Sequence, residues 1–302
     1  MTQLDLFPDI NVDERERLYV IGNGFDLHHE IESKYWHFKK WCQNNKKDSN
    51  LVGLMDIFFS NDREFWGDIE NALGEYNEEA ITDYCEPENP KDFKFEHPGQ
   101  WQNGVEDSIS WIFGQTMELF REGFSEWVQS IDISNIVTDL FMPKASKYLT
   151  FNYTDTLENG YGIPVQNVLH IHGSRLNPKD EYIIGHRNKR DEETPFLDNS
   201  ILLPYQNAYE EVIKIMNKWV KYPQYFIGKN SVFFKSLNTC KGVYVMGWSY
   251  NRIDMPYLEE IASTVTPNCK WLLYYHSEED KKRATTFAQT NGLLDYTLKE
   301  FE

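Results

Sequence analysis

The residues best suited to chemistry stand in four short stretches. The first, Val20 to Glu30 (VIGNGFDLHHE), leads from an apolar run into Gly22, Asn23, Gly24, Phe25 and Asp26, followed by His28 and His29. A Gly-x-Gly turn lets backbone approach a pyrophosphate, but it also makes ordinary strand-to-helix connections. The third glycine of a dehydrogenase fingerprint is missing, and Leu27 stands in its place. The second stretch supplies Thr150, Asn152, Tyr153, Thr154 and Asp155. The third supplies His170, His172, Gly173 and Ser174, and the fourth Gly247, Trp248, Ser249, Asn251 and Asp254. If His170 and His172 alternate on one strand they share a face, which raises a paired metal site. No carboxylate or cysteine stands at ligand spacing around them, so no metal is expected.

These residues need elements to hold them. Leu18 to Ile21 reads as a short buried strand entering Gly22. Ser33 suits the N-cap of a helix through Tyr35, Trp36, Phe38 and Trp41. Apolar residues recur at helical spacing from about Leu51 to Ile81 and from Ser108 to Val128, with a further turn at Ile136 to Leu140. The Pro-rich CEPENPKDFKFEHPGQ between them reads as a loop. Strands are then expected at Tyr148–Asn152, Val168–His172 and Tyr182–Ile184, and helices near Tyr209–Val220 and Ser231–Leu237. A strand at Gly242–Gly247, a helix at Asp254–Ser263, a strand at Lys270–Tyr275, a helix and a short edge strand complete the chain. Strands alternating with helices predict an α/β, Rossmann-like fold with a mostly parallel sheet. Residues 1–302 read as a single domain, with 45–140 as a helical insertion or cap. In such sheets ligands bind beyond the carboxyl ends of the strands, where the four stretches fall.

Composition narrows the partners. The 302 residues are 40% hydrophobic and 15% aromatic, ample for a core. The net charge of −18 disfavours nucleic acid, which needs a basic surface. GHRNKR (Gly185 to Arg190) is the best candidate for a basic patch and reads as a solvated loop. No apolar run is long enough to span a bilayer, the polar N-terminal residues resemble an arm rather than a secretory signal, and the four cysteines form no CxxC pair. A cytoplasmic protein with no membrane partner is expected.

The ordered series GNGFD, TFNYTD, HIHGS, GWSYNRID resembles the bacteriophage abortive infection AbiH family over about residues 18–275. That resemblance implies a role in phage defence. The same series is more distantly similar to sirtuin-like (SIR2-like) NAD-binding effector domains. Thr150 and Asn152 match a T-x-N-x-D strand exit, with the acid one place late at Asp155. His172-Gly173 matches an HG segment, and Gly247 and Ser249 a G-x-S turn. No zinc module and no acyl-lysine groove signature accompany them, so this resemblance implies NAD hydrolysis with release of nicotinamide rather than deacylation.

On that reading Asn152 and His172 are the catalytic pair. Asn152 would orient ribose or water, and His172 would take a proton near neutral pH. Gly22, Asn23, Gly24 and Phe25 would cradle the pyrophosphate, and Asp26 or Asp254 would face the developing positive charge or a ribose hydroxyl. Thr150, Asp155, Gly173, Gly247, Ser249 and Asn251 complete the binding set. NAD would be substrate rather than resident cofactor. A phage-derived trigger, a partner protein and self-association are all compatible with this scheme. The alternative is a nucleotide-binding sensor or toxin module without catalysis, for which a bulky residue at Gly24 should block binding. His28 and His29 read as exposed loop residues, and His186 either touches ligand or closes a loop. The Trp- and Phe-rich stripes of the insertion either form a lid or interface, or pack its own core.

Overall fold

A computed structural model describes residues 12–59, 65–85, 106–177, 181–191 and 203–301, with side chains from 206 in the last segment. The N-terminal arm and nearly all of the Pro-rich loop lie outside the described residues. The chain divides into two units. One comprises Met1–Lys34, Val128–Ile183 and Tyr222–Glu302, the other Tyr35–Trp127 and Ile184–Lys221.

The first unit is built on a six-stranded sheet: β1 (Arg17–Ile21), β2 (Lys147–Thr150), β3 (Val168–His170), β4 (Gly242–Met246), β5 (Lys270–Tyr275) and β6 (Asp295–Glu300). All neighbours are parallel, in the order β3-β2-β1-β4-β5-β6. Four of the five residues of β1 and all of β4 are buried, as continuous apolar runs in a sheet covered on both faces require. Side chains alternate between two cores. Leu18, Val20, Val243 and Val245 pack with Tyr257, Leu258 and Ile261 of the helix Met255–Thr264 and with Ala284 and Phe287 of the helix Glu278–Thr290. Tyr19, Ile21, Tyr148, Tyr244 and Met246 pack with Phe25, Leu157 and Ile163. Register places Tyr148, Tyr19 and Tyr244 side by side, so their rings stack with centroids 5.1 and 4.7 Å apart.

The second unit, among the described residues, is helical. It includes Tyr35–Asn45, Leu51–Phe58, Ile69–Gly74, Glu78–Cys85 and most of Gln115–Ser130. The helical spacing read from Leu51 to Ile81 is taken up, among the described residues, by several short helices. Phe38 sits within 5.2–5.9 Å of the rings of Trp66, Phe120, Phe124 and Trp127, so these aromatics pack this unit's own core, while Trp36 and Trp111 are exposed.

Other expectations are corrected. Tyr182–Ile184 is not a strand of the sheet; one of its N–H groups, that of Ile183, donates to His172 O. Ile136–Leu140 is not helical, because the Leu140 N–H is drawn to the Tyr161 hydroxyl and the Asp139 N–H to Val137 O. The first long helix starts at Tyr35, one residue beyond the reach of an N-cap at Ser33. β2 and β3 stop at Thr150 and His170, so Asn152 and His172 lie past the strand ends.

Candidate functional site

The strand order reverses between β1 and β4: β2 lies on one side of β1, and the chain crosses from β3 to the other side to form β4. A crevice at such a switch point is where open α/β sheets bind ligands. The two exits that flank it are the glycine turns, and their glycines have a structural reason. A Cβ at Gly22 would stand 2.5 Å from Gly247 O, and one at Gly24 2.7 Å from Gly247 Cα. The Gly22 N–H donates to Met246 O and the Gly24 N–H to Gly247 O. The Gly22 and Gly24 N–H groups are therefore engaged within the fold, and a bulky residue at Gly24 tests packing as well as ligand binding. Phe25 is fully buried in the core beside His29 and Tyr161. Asn23 is exposed and reaches Ser33 O.

The exit loop of β2 is anchored from all sides. Asn152 donates through Nδ2 to Gly22 O at 3.1 Å, and its N–H to Thr150 Oγ1 at 3.1 Å. Its carbonyl contacts His170 Nδ1 at 2.9 Å, and His170 Nε2 lies 2.9 Å from Glu158 Oε1. Thr154 and Thr156 donate to the two oxygens of Asp26, at 2.6 and 2.9 Å. Asp155 is held by Arg175 and Asn159. Some buried polar atoms at these exits make no hydrogen bond among the described residues, Glu158 Oε2 and Asn152 Oδ1 among them. Asn152 is 5% exposed, and its Oδ1 is buried with no hydrogen-bond partner among the described residues. Buried acceptors are normally paired.

His172 is 3% exposed, and its Nε2 lies 3.4 Å from Asp254 Oδ1. The ring stands edge-on to Phe151, 5.3 Å away, and Phe151 in turn packs on Trp248. Gly173 takes a φ of +92°, and a Cβ there would meet Glu181 O at 2.9 Å. Asn251 Oδ1 accepts from the Ile253 N–H, and Ser249 is exposed, with its carbonyl accepting from Arg283. The structure therefore brings Asn152 and Asp26 together at the β1–β2 exits, and His172 and Asp254 together from β3 and β4. His170 lies against Glu158 and His172 against Asp254. Glu158, Arg175 and Thr156 hold the site in place and escaped the sequence reading, since nothing local marks a residue whose partner is distant.

The remaining histidines are corrected or settled. His28 and His29 are not exposed loop residues. His28 Nε2 lies 3.2 Å from both oxygens of Asp139. Buried His29 bonds Phe25 O through Nδ1 and the Tyr161 hydroxyl through Nε2, and burial lowers its pKa. His186 closes a loop: it is buried, with Nε2 on Met216 O. In GHRNKR, residues 187–189 are exposed as expected, but Arg190 is clasped by Glu78 and the Tyr76 ring.

Asp26 is fully buried among hydroxyls, and burial pushes its pKa up to about 6, against the pull of its hydrogen bonds from Thr154, Thr156 and Asn152. The folded-state value lies above the ordinary 3.8, so the folded chain binds the proton more tightly than the unfolded one. Its contribution is most favourable below about pH 4 and is lost as pH rises to about 6. Asp26→Asn keeps an acceptor for one threonine and donates to the other. It should stabilise the fold at pH 7 by about 1–3 kcal/mol and flatten stability between pH 4 and 6. Urea unfolding across that range checks this, and a variant less stable at pH 7 would refute it.

An all-parallel sheet in this order, with polar side chains gathered at a switch point, defines a Rossmann-like α/β protein. Within that class, the chain belongs to the bacteriophage abortive infection AbiH family, which it matches over residues 18–275. Its role is thus in abortive infection, a form of antiviral defence. No curated protein and no solved structure matches the chain. Among the described residues no helix is long and apolar enough to cross a membrane.

Proposed function

We propose that the protein acts in abortive infection by binding NAD at the carboxyl ends of β1, β2 and β4 and hydrolysing it to nicotinamide and ADP-ribose. The observation that carries this reading is Asn152. In a loop held by the bonds of Thr154, Asp155 and Thr156, its buried Oδ1 offers an acceptor for a water or ribose hydroxyl proton. The sirtuin-like series of strand exits supports the same assignment.

Cleavage of the nicotinamide–ribose bond has a neutral leaving group and an oxocarbenium-like transition state, so positioning matters more than strong acid catalysis. Asn152 orients the attacking water. His172 takes its proton as the water oxygen bonds to the anomeric carbon, and the C–N bond pair leaves with nicotinamide. The negative charge of Asp26 beneath the loop favours the cationic transition state. With the Gly22 and Gly24 N–H groups engaged, phosphate contacts fall to the exposed Asn23 and Ser249.

Mass spectrometry of nucleotide pools in phage-infected cells tests the reading. Cells carrying wild type should lose NAD and gain nicotinamide, and cells carrying His172→Ala should retain NAD and lose protection. Protection without NAD loss overturns it, and protection that survives His172→Ala favours a non-catalytic nucleotide sensor.

A further inference from the structure

His172 and Asp254 are separated by 82 positions yet approach at the sheet edge, Nε2 to Oδ1 at 3.4 Å, an ion-pair distance without hydrogen-bond geometry. Both side chains are withdrawn from water, 3% and 13% exposed. Asp254 immediately precedes the helix Met255–Thr264, where an aspartate ordinarily accepts a backbone N–H as N-cap. Its side chain makes no such bond, and Pro256, within the first turn, has no N–H to offer. The carboxylate turns toward the imidazole instead. Phe151 and Tyr257 stand edge-on to the His172 ring, at 81° and 70°, and limit its rotation.

We propose that Asp254 is a positioning residue that holds His172 in its Nε2–H tautomer, so that Nδ1 carries the lone pair that accepts the proton. This reassigns Asp254 from a ligand contact to the partner of the base, and it rests on the NAD-cleavage reading for the identity of the reaction. An imidazole has one donor and one acceptor nitrogen when neutral, and a carboxylate oxygen facing Nε2 favours the proton there over a lone pair, which leaves the lone pair on Nδ1. In the reaction, a water O–H bond breaks and its proton goes to Nδ1. The water oxygen bonds to the anomeric carbon, and the C–N pair neutralises the departing pyridinium as nicotinamide. Asp254 then faces an imidazolium, whose charge it balances until the proton leaves to solvent.

The test uses the full chain with 15N-labelled histidine. Long-range NMR correlations report the tautomer of each ring, and His172→Gln assigns the signals of His172. Wild type should show the Nε2–H form, and Asp254→Ala a mixture. Asp254→Asn retains an acceptor for Nε2–H and should keep the tautomer. In protein prepared from phage-infected cells, both variants should lower kcat by about 10- to 100-fold with little change in KM, since the carboxylate acts through the base. A wild-type Nδ1–H form overturns the proposal, as does an Asp254→Ala variant with unchanged tautomer or kcat. If wild type cleaves no NAD, the substrate reading falls instead, and the tautomer measurement alone decides the pairing of His172 with Asp254.

Discussion

Asn152→Ala is expected to lower nicotinamide release at least about 100-fold, the scale of removing a group that orients the reacting atoms. The substitution removes the Oδ1 acceptor and also the Nδ2 donor to Gly22 O. Gly22 O keeps its bond from the Phe25 N–H, so losing the Asn152 bond costs about 0.5–1.5 kcal/mol. Thermal unfolding must therefore accompany the rate measurement. The expected result is a folded protein with a lowered Tm, normal secondary structure and no detectable NAD turnover in activated preparations. Because the proposed catalysis and the packing depend on different atoms of the same amide, a folded variant with near wild-type turnover would show that Oδ1 serves no ligand.

The largest effect on stability is expected at Gly247. Its φ is +61°, and a Cβ there would lie 2.2 Å from Phe25 N and 2.6 Å from Gly24 C. The neighbours are backbone, which cannot swing aside. Gly247→Ala should destabilise by roughly 2–5 kcal/mol, combining left-handed backbone strain with overpacking. Gly292 is the control: its φ is +63°, but nothing lies within 4 Å of its Cβ position. Gly292→Ala should cost only about 1–2 kcal/mol, the conformational part alone. Chemical denaturation of both variants separates the two contributions, and equal losses would show that the contact between the glycine turns is not tight.

The sheet was legible because its strands are near-continuous apolar runs, the signature of strands buried on both faces. Gly242–Met246 and Lys270–Tyr275 needed no other clue, and even the edge strand Asp295–Glu300 was anticipated. The failures share a cause. Tyr182–Ile184 has strand-like residues, but its only described backbone bond toward the sheet region joins Ile183 to His172 O. His170 and His172 were placed on one face by assuming that β3 continued, and β3 ends at His170. Ser33 looked like a cap, yet the helix begins two residues later.

The sequence by itself determined the order of strands and exits, and the family to which the chain belongs. Both are written in local patterns, an apolar run and the small or polar residues that end it. Only the tertiary structure decided which of those polar groups remain available. The donors of Gly22 and Gly24 are engaged by β4 and the turn after it. The carboxylate of Asp26 is occupied by threonines 128 and 130 positions away. Asn152 Oδ1 is buried without a partner among the described residues. Hydrogen bonding is a matter of a few ångströms in space, and the side chains that satisfy a group at one strand exit arrive from other strands, whose register no local pattern encodes.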